Sequence, residues 1–201
     1  MGTGPLGRRR GESTVRAVRL ARLLLAGLAV FCVIASGAVE AQKLSRDDVE
    51  AAYLYNFGKF VRWPESTLQR PMLVCVAGQD PLGQTLDRVV EGERINGRQL
   101  VERNLDGPDG VGDCSILFIG TTEHARAESF LTAAEGKPIL TVGDAPDFLA
   151  QGGMIEFVQV ADHVRFSVNL DACERHRVAL SSELLKVAVT VTGRHETGGP
   201  Q

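Results

Sequence analysis

Apolar positions recur with two periods along this chain, and the alternation between them lays out the elements. A helix is predicted to open at Ser45, a capping hydroxyl followed by Asp47 and Asp48 in the first turn, where the helix dipole favours acids. Val49, Ala52, Tyr53, Phe57 and Phe60 follow at helical spacing, and Pro64 stops the helix at Trp63. Residues 72–77 are a short apolar run between Pro71 and Gly78, which reads as a buried strand. Asp80-Pro81 opens a second helix with Leu82, Leu86, Val89 and Val90 on one face, and residues 99–105 then alternate as a strand. Residues 115–119 are the next buried strand, turning through Gly120-Thr121-Thr122 into a helix that carries Ala125, Ala127, Phe130 and Leu131. Residues 138–142 form a strand ended by Gly143, and Phe148 and Leu149 sit in a short helical turn closing at Gly152-Gly153. Period-two alternation at 154–160 and 163–169, joined by Ala161-Asp162, predicts a hairpin. Residues 171–177 read as a helical turn. Ser181 caps a last helix holding Leu184, Leu185 and Ala188, although β-branching over 187–191 leaves a strand open there.

Strands alternating with helices imply a parallel sheet covered on both faces. The predicted fold is a single three-layer α/β domain, a mostly parallel sheet flanked by helices with a late antiparallel hairpin. No internal repeat interrupts it.

The segment ahead of this pattern follows other rules. Six arginines (Arg8, Arg9, Arg10, Arg16, Arg19 and Arg22) precede an uncharged apolar run at 23–35. Thirteen helical residues span roughly 20 Å, short of the ~30 Å hydrocarbon core of a bilayer. Small residues then offer cleavage after Ala38 or Ala41, so residues 1–41 are expected to be a secretory signal peptide and the rest to be exported from the cytoplasm. An uncleaved anchor is the competing reading, disfavoured by length. The domain is expected over 42–192, with a disordered tail at 193–201 rich in Gly and Pro.

With the six Arg and two Glu of residues 1–41 set aside, 16 basic and 23 acidic residues remain, a net charge of −7. Such a domain repels nucleic-acid backbones and anionic lipid, and after cleavage nothing in it inserts into a membrane. Three cysteines remain, Cys75, Cys114 and Cys173. In an oxidising compartment two are expected to pair. Cys75 and Cys114 both lie beside strand-like runs and are the favoured pair, leaving Cys173 free and buried.

A search for chemistry finds little. Gly78-Gln79-Asp80-Pro81-Leu82-Gly83 follows the first buried strand but is neither a dinucleotide fingerprint nor a phosphate loop. No serine sits in a nucleophile elbow. His124, His163, His176 and His195 are scattered, with no pair at metal-ligand spacing. Cys173 and His176 stand one helical turn apart and admit a thiolate–imidazole reading, but no orienting acid accompanies them, and a buried cysteine beside a surface histidine is the favoured account. No catalytic residue, metal or cofactor is therefore expected.

Two features stand out. Tyr53, Tyr55, Phe57, Phe60 and Trp63 are half of the ten aromatics beyond residue 41. The helical stripe assigns Tyr53, Phe57 and Phe60 to the core, while Tyr55 and Trp63 lie off it and are free to line a recess or a partner surface. Basic groups also gather locally: Lys59 and Arg62 at the end of the first helix, Arg165 in the hairpin, then Arg175, His176 and Arg177. If the hairpin folds over the first helix, these converge on an anion or an acidic partner. Solvated surface charge is the plain alternative.

Residues 51–64, AAYLYNFGKFVRWP, resemble the opening signature of the YfiR-like family of bacterial periplasmic proteins. Later words agree in order: VCVAGQDPLG at 74–83, INGR at 95–98, CSILFIG at 114–120, LTVGDAP at 140–146, GGMIEF at 152–157, VRFSVNL at 164–170 and SSELL at 181–185. The resemblance covers roughly 47–191. It implies a regulator that binds the periplasmic sensory domain of an inner-membrane diguanylate cyclase and represses it, lowering cyclic-di-GMP and biofilm formation. An outer-membrane peptidoglycan-binding lipoprotein as a second partner and a homodimer are implied in the same way. So is the Cys75–Cys114 bridge, whereas the further bridge of such proteins has no partner near Cys173. On this reading Tyr55, Phe57, Lys59, Arg62, Trp63, Arg165, Arg175 and His176 form the partner or ligand surface. The alternative is a periplasmic small-ligand binding module that feeds a membrane histidine kinase or a transport system. An enzyme is the third reading, and no motif supports it.

Overall fold

The computed structural model describes residues 44–68, 70–78, 82 and 84–193. The expected signal peptide, the tail beyond residue 193 and the opening of the second helix at Asp80-Pro81 lie outside them. Helix α1 (Arg46–Phe60) begins where its cap places it. Asp48 N–H donates to Ser45 Oγ at 3.1 Å, and Ser45 N–H donates back to Asp48 Oδ2 at 2.9 Å, closing a capping box. The helix ends earlier than Pro64 requires. Val61 and Arg62 form a short strand, β1 (Val61–Arg62), because an edge is waiting for them: β9 (Ala179–Leu180) pairs antiparallel, Val61 opposite Leu180.

The remaining strands are β2 (Met72–Ala77), β3 (Arg94–Ile95), β4 (Arg98–Leu105), β5 (Ile116–Ile119), β6 (Leu140–Gly143), β7 (Ile155–Val160), β8 (His163–Asn169) and β10 (Thr190–Thr192). They form one sheet in the order β10-β8-β7-β6-β5-β2-β4-β3. From β4 to β7 every neighbour pair is parallel, and β3 on β4 and β8 on β7 are antiparallel. Taken in chain order, the parallel strands lie second, first, third, fourth, fifth, a doubly wound arrangement. The mostly parallel sheet with a late hairpin is the predicted fold.

Period-two alternation splits the sheet into two cores. Val74, Val76, Ile116, Phe118, Leu140 and Val142 point to one face, which is covered by α1, α2 (Gln84–Val90), α4 (Leu170–Arg175) and α5 (Ser182–Val187). Cys75, Ala77, Leu117 and Ile119 point to the other, covered by α3 (Ala127–Ala134) and Phe148. Cys75 and Cys114 join across β2 and the entry to β5, with Cα atoms 5.8 Å apart, inside that second core. The turn at Phe148–Leu149 holds no helix, and the stretch at 187–191 resolves its alternative as strand: β10 runs parallel to β8, Thr190 opposite Ser167.

Two glycines fix the packing beside α1. Asn96 (φ 51°) and Gly97 (φ 80°) form a two-residue turn of the kind that Asn-Gly favours, creating β3 and placing Arg98 opposite Ile95. Gly58, within α1, lets the helix approach the sheet closely: a Cβ there would sit 2.7 Å from Ile95 Cδ1 and 3.1 Å from Met72 Sδ.

Candidate functional site

The aromatic segment divides between core and surface. Helix α1 buries Glu50, Ala51, Leu54, Phe57 and Gly58, a stripe rotated from the one predicted. Phe57 is fully buried, stacked on Phe157 (centroids 6.0 Å apart) and edge-on to Phe166 (5.3 Å), so it supports the surface from beneath and cannot touch a partner. Phe60, expected in the core, is 40% exposed because the chain turns into β1 directly after it. Tyr55 donates its hydroxyl to Glu93 Oε2 at 2.6 Å, and Lys59 Nζ stands 3.9 Å above the same ring. Arg62 is exposed, and its charge helps hold the Glu183 carboxyl below the usual glutamate range, after larger contributions from the Glu183 backbone N–H and the Ser181 hydroxyl. Trp63 is half-buried against the core, with an indole N–H that finds no acceptor among the described residues. Lys59, Phe60 and Arg62 are thus exposed at the end of α1, with Tyr55 and Trp63 partly buried.

The other predicted cations do not join it by any described contact. The hairpin does pack on α1, through Phe157 and Phe166, and Tyr53 donates its hydroxyl to the Val164 carbonyl at 3.4 Å. Alternation then turns Arg165 to the opposite face from Phe166, and its guanidinium donates to the Val187 carbonyl at 3.0 Å. His176 is only 4% exposed, not on the surface. Its Nδ1 donates to the Lys137 carbonyl at 3.0 Å and Nε2 lies 3.8 Å from Glu135 Oε2, which seats it with Arg175 against the end of α3. Cys173 is buried in the α1-side core, and burial pushes its thiol up to about 12. With both imidazole nitrogens turned to the α3 end and the thiol held neutral, no thiolate–imidazole pair forms.

Two further features escaped the sequence reading. At the carboxyl ends of the parallel strands, where doubly wound folds hold ligands, Asp144 accepts from Thr121 N–H at 2.6 Å and from its hydroxyl at 2.9 Å. Arg46 bridges Asp144 (3.5 Å) to Glu50 (2.6 Å). Glu50 is 2% exposed, and burial raises its carboxyl from 4.5 to about 7, against the pull of Arg46 and with help from Asp144 and Asp47. The signal was Arg46 and Glu50 at i,i+4, obscured because a glutamate was not expected on the inner stripe. Second, Val49, Ala52 and Tyr53, predicted as core, form with Val89 the apolar wall of an open groove of about 530 Å³ between α1 and α2, rimmed by Asp48 and Arg88.

The fold defines a doubly wound α/β domain. The sequence matches the model of the YfiR/HmsC-like family over residues 47–189, and the chain belongs to that family, one of periplasmic regulators. No curated protein matches the sequence. Among solved structures, a conserved domain protein from Vibrio cholerae is similar with a TM-score of 0.50 at 14% identity, over 75% of this chain and 61% of that one. The ABC domain from Streptococcus pneumonia in complex with L-Trp is similar with a TM-score of 0.46 at 8% identity, over 69% and 59%. This chain therefore spans about three-fifths of the length of each, and at 14% identity the likeness to the Vibrio cholerae protein is one of fold alone.

Proposed function

We propose that this protein docks, from the periplasm, onto the sensory domain of an inner-membrane diguanylate cyclase and holds it inactive, lowering cyclic-di-GMP and restraining biofilm formation. Family membership over 47–189 carries this reading. The residues at the end of α1 support it: the exposed Phe60 and Arg62, with the partly buried Tyr55 and Trp63, are residue types enriched in interfaces. Repression of this kind is a population shift, effective only to the extent that the regulator binds the inactive cyclase more tightly than the active one. Arg165, Arg175 and His176 are left out of the docking surface, for the geometric reasons above.

The test is a pull-down with the sensory domain. Arg62→Glu is expected to weaken binding about tenfold, the scale of a well-placed interface arginine, with unchanged circular dichroism. Unaltered affinity overturns the surface, and unaltered cellular cyclic-di-GMP on deletion of the gene overturns the function.

The α1–α2 groove favours a second reading, a small-ligand binding module, since its volume and apolar wall suit a small organic molecule. A thermal shift with amino acids that Ala52→Trp removes, with no effect of the deletion on cyclic-di-GMP, selects it.

A further inference from the structure

Helix α1 is apolar on more than the stripe it buries. Ala51, Leu54 and Phe57 belong to the core beneath it. Val49, Ala52 and Tyr53 form a second stripe, with Leu44 ahead of the cap and Asn56 one turn on, and together with Val89 of α2 they line the groove. Leu44 is 70% exposed and Ala52 is exposed, so no described residue covers this stripe. Open apolar clefts mark interaction or ligand sites. A volume of about 530 Å³ lies within the range of small-molecule pockets.

The groove carries charge only at its rim, and that charge is internally paired. The Asp48 carboxylate accepts from Ser45 N–H at 2.9 Å and from its hydroxyl at 2.8 Å, and Thr85 Oγ1 donates to it at 3.4 Å. Arg88 donates to the Gln84 carbonyl at 3.2 Å and to Thr85 Oγ1 at 3.1 Å, so Thr85 links the two charges. The Ser45 hydrogen bonds, then Arg88, hold the Asp48 carboxyl below the usual aspartate range. Tyr53 turns its hydroxyl to the Val164 carbonyl. What is left is Asn56, half-buried, whose carboxamide makes no hydrogen bond to a described residue. It offers an N–H donor and a carbonyl acceptor side by side. A charged ligand would lose hydration against the apolar wall with no free counter-charge to meet it. A purely apolar one would cover Asn56 without pairing it. A neutral molecule with an apolar chain and an amide head satisfies both conditions.

We propose that the α1–α2 groove binds a neutral acyl amide, its chain along Val49, Ala52 and Val89 and its amide paired with the Asn56 carboxamide. At 1.5 Å per residue, Val49 to Asn56 spans roughly 10 Å, which suits a chain of medium length. This rests on the groove being a ligand site, the second reading above, and holds whether or not a cyclase is the partner.

The experiment is thermal unfolding of the purified protein with octanamide, against octanoate, which has the same chain and a charged head, both below the concentrations at which they self-associate. The midpoint is expected to rise and saturate with octanamide, by roughly 3–6 °C at ten times the dissociation constant, and octanoate is expected to bind about tenfold more weakly. Asn56→Leu, close in size, is expected to weaken octanamide about tenfold, the scale of two lost hydrogen bonds, and Ala52→Trp to abolish the rise by filling the groove. Unchanged octanamide affinity in Asn56→Leu overturns the inference. Equal rises with octanoate or a free amino acid, removed by Ala52→Trp, overturn the amide and leave the groove a ligand site. No saturable rise with any of these probes, or an equal rise in Ala52→Trp, overturns the amide and the groove together. A dimer in size-exclusion chromatography that Ala52→Trp dissociates places a second copy on this stripe and overturns both as well.

Discussion

Glu50 shows how one residue departs from the rule its neighbours follow. It occupies the inner stripe of α1 between Ala51 and Leu54, where an apolar side chain is the norm, and meets Arg46 at 2.6 Å. Its carboxyl titrates near 7 in the folded protein and at 4.5 in the ordinary state, so between those values the folded protein holds more protons than the unfolded one. Stability contributed by the neutral acid is complete below pH 4.5 and is lost as pH rises through about 7. Glu50→Gln, which stays neutral and can still accept from Arg46, is expected to flatten this decline, as read from urea midpoints across pH 4.5–7.5. An identical slope in the variant refutes the assignment. Phe57 makes the complementary point. Because it lies between Phe157 and Phe166 with no exposed surface, Phe57→Ala is expected to cost about 3–5 kcal/mol of stability in urea denaturation. Lys59→Ala, two residues on and exposed, is expected to change stability by less than about 0.5 kcal/mol.

At the scale of elements, what a short window of sequence controls was legible. Ser45 and Ser181 cap helices, Ala161 and Asp162 join a hairpin, and the apolar runs at 72–77 and 115–119 lie in β2 and β5. The turn at Asn96-Gly97 was equally visible as a residue pair, and the strand β3 that it creates was overlooked. The pair β1 and β9 was not visible at all, because two residues carry no periodicity and each strand exists only by virtue of the other. The Cys75–Cys114 bridge also belongs to this scale, since it ties β2 to the entry of β5 across 39 residues of chain. Replacing both cysteines by alanine is expected to remove about 2–4 kcal/mol, the range for closing a loop of this length, as measured by denaturation of the oxidised proteins. An unchanged midpoint would show that the bridge constrains nothing the rest of the core does not.

For the molecule as a whole, the sheet order brings the family's sequence words to separate places. INGR supplies the buried Arg98, LTVGDAP supplies Asp144 at the carboxyl ends of the strands, and the aromatic helix supplies both core and surface. The three cysteines beyond residue 41 test this arrangement together. A thiol reagent is expected to reach Cys173 only after unfolding, and Cys75 and Cys114 only after reduction as well, with labelled sites read by mass spectrometry. Labelling of Cys173 in the native protein contradicts its place in the core beneath α1.

The amino-acid sequence alone determined the fold class, the favoured cysteine pair and the family, because caps, turn residues, apolar runs and ordered motif words act over short stretches of chain. Only the tertiary structure decided which aromatic faces solvent, that Arg165 donates to the Val187 carbonyl and His176 to the Lys137 carbonyl, and that Arg98 is buried against carbonyl and hydroxyl oxygens. Those outcomes depend on which face each strand and helix turns towards residues distant in sequence, and no local pattern encodes that choice.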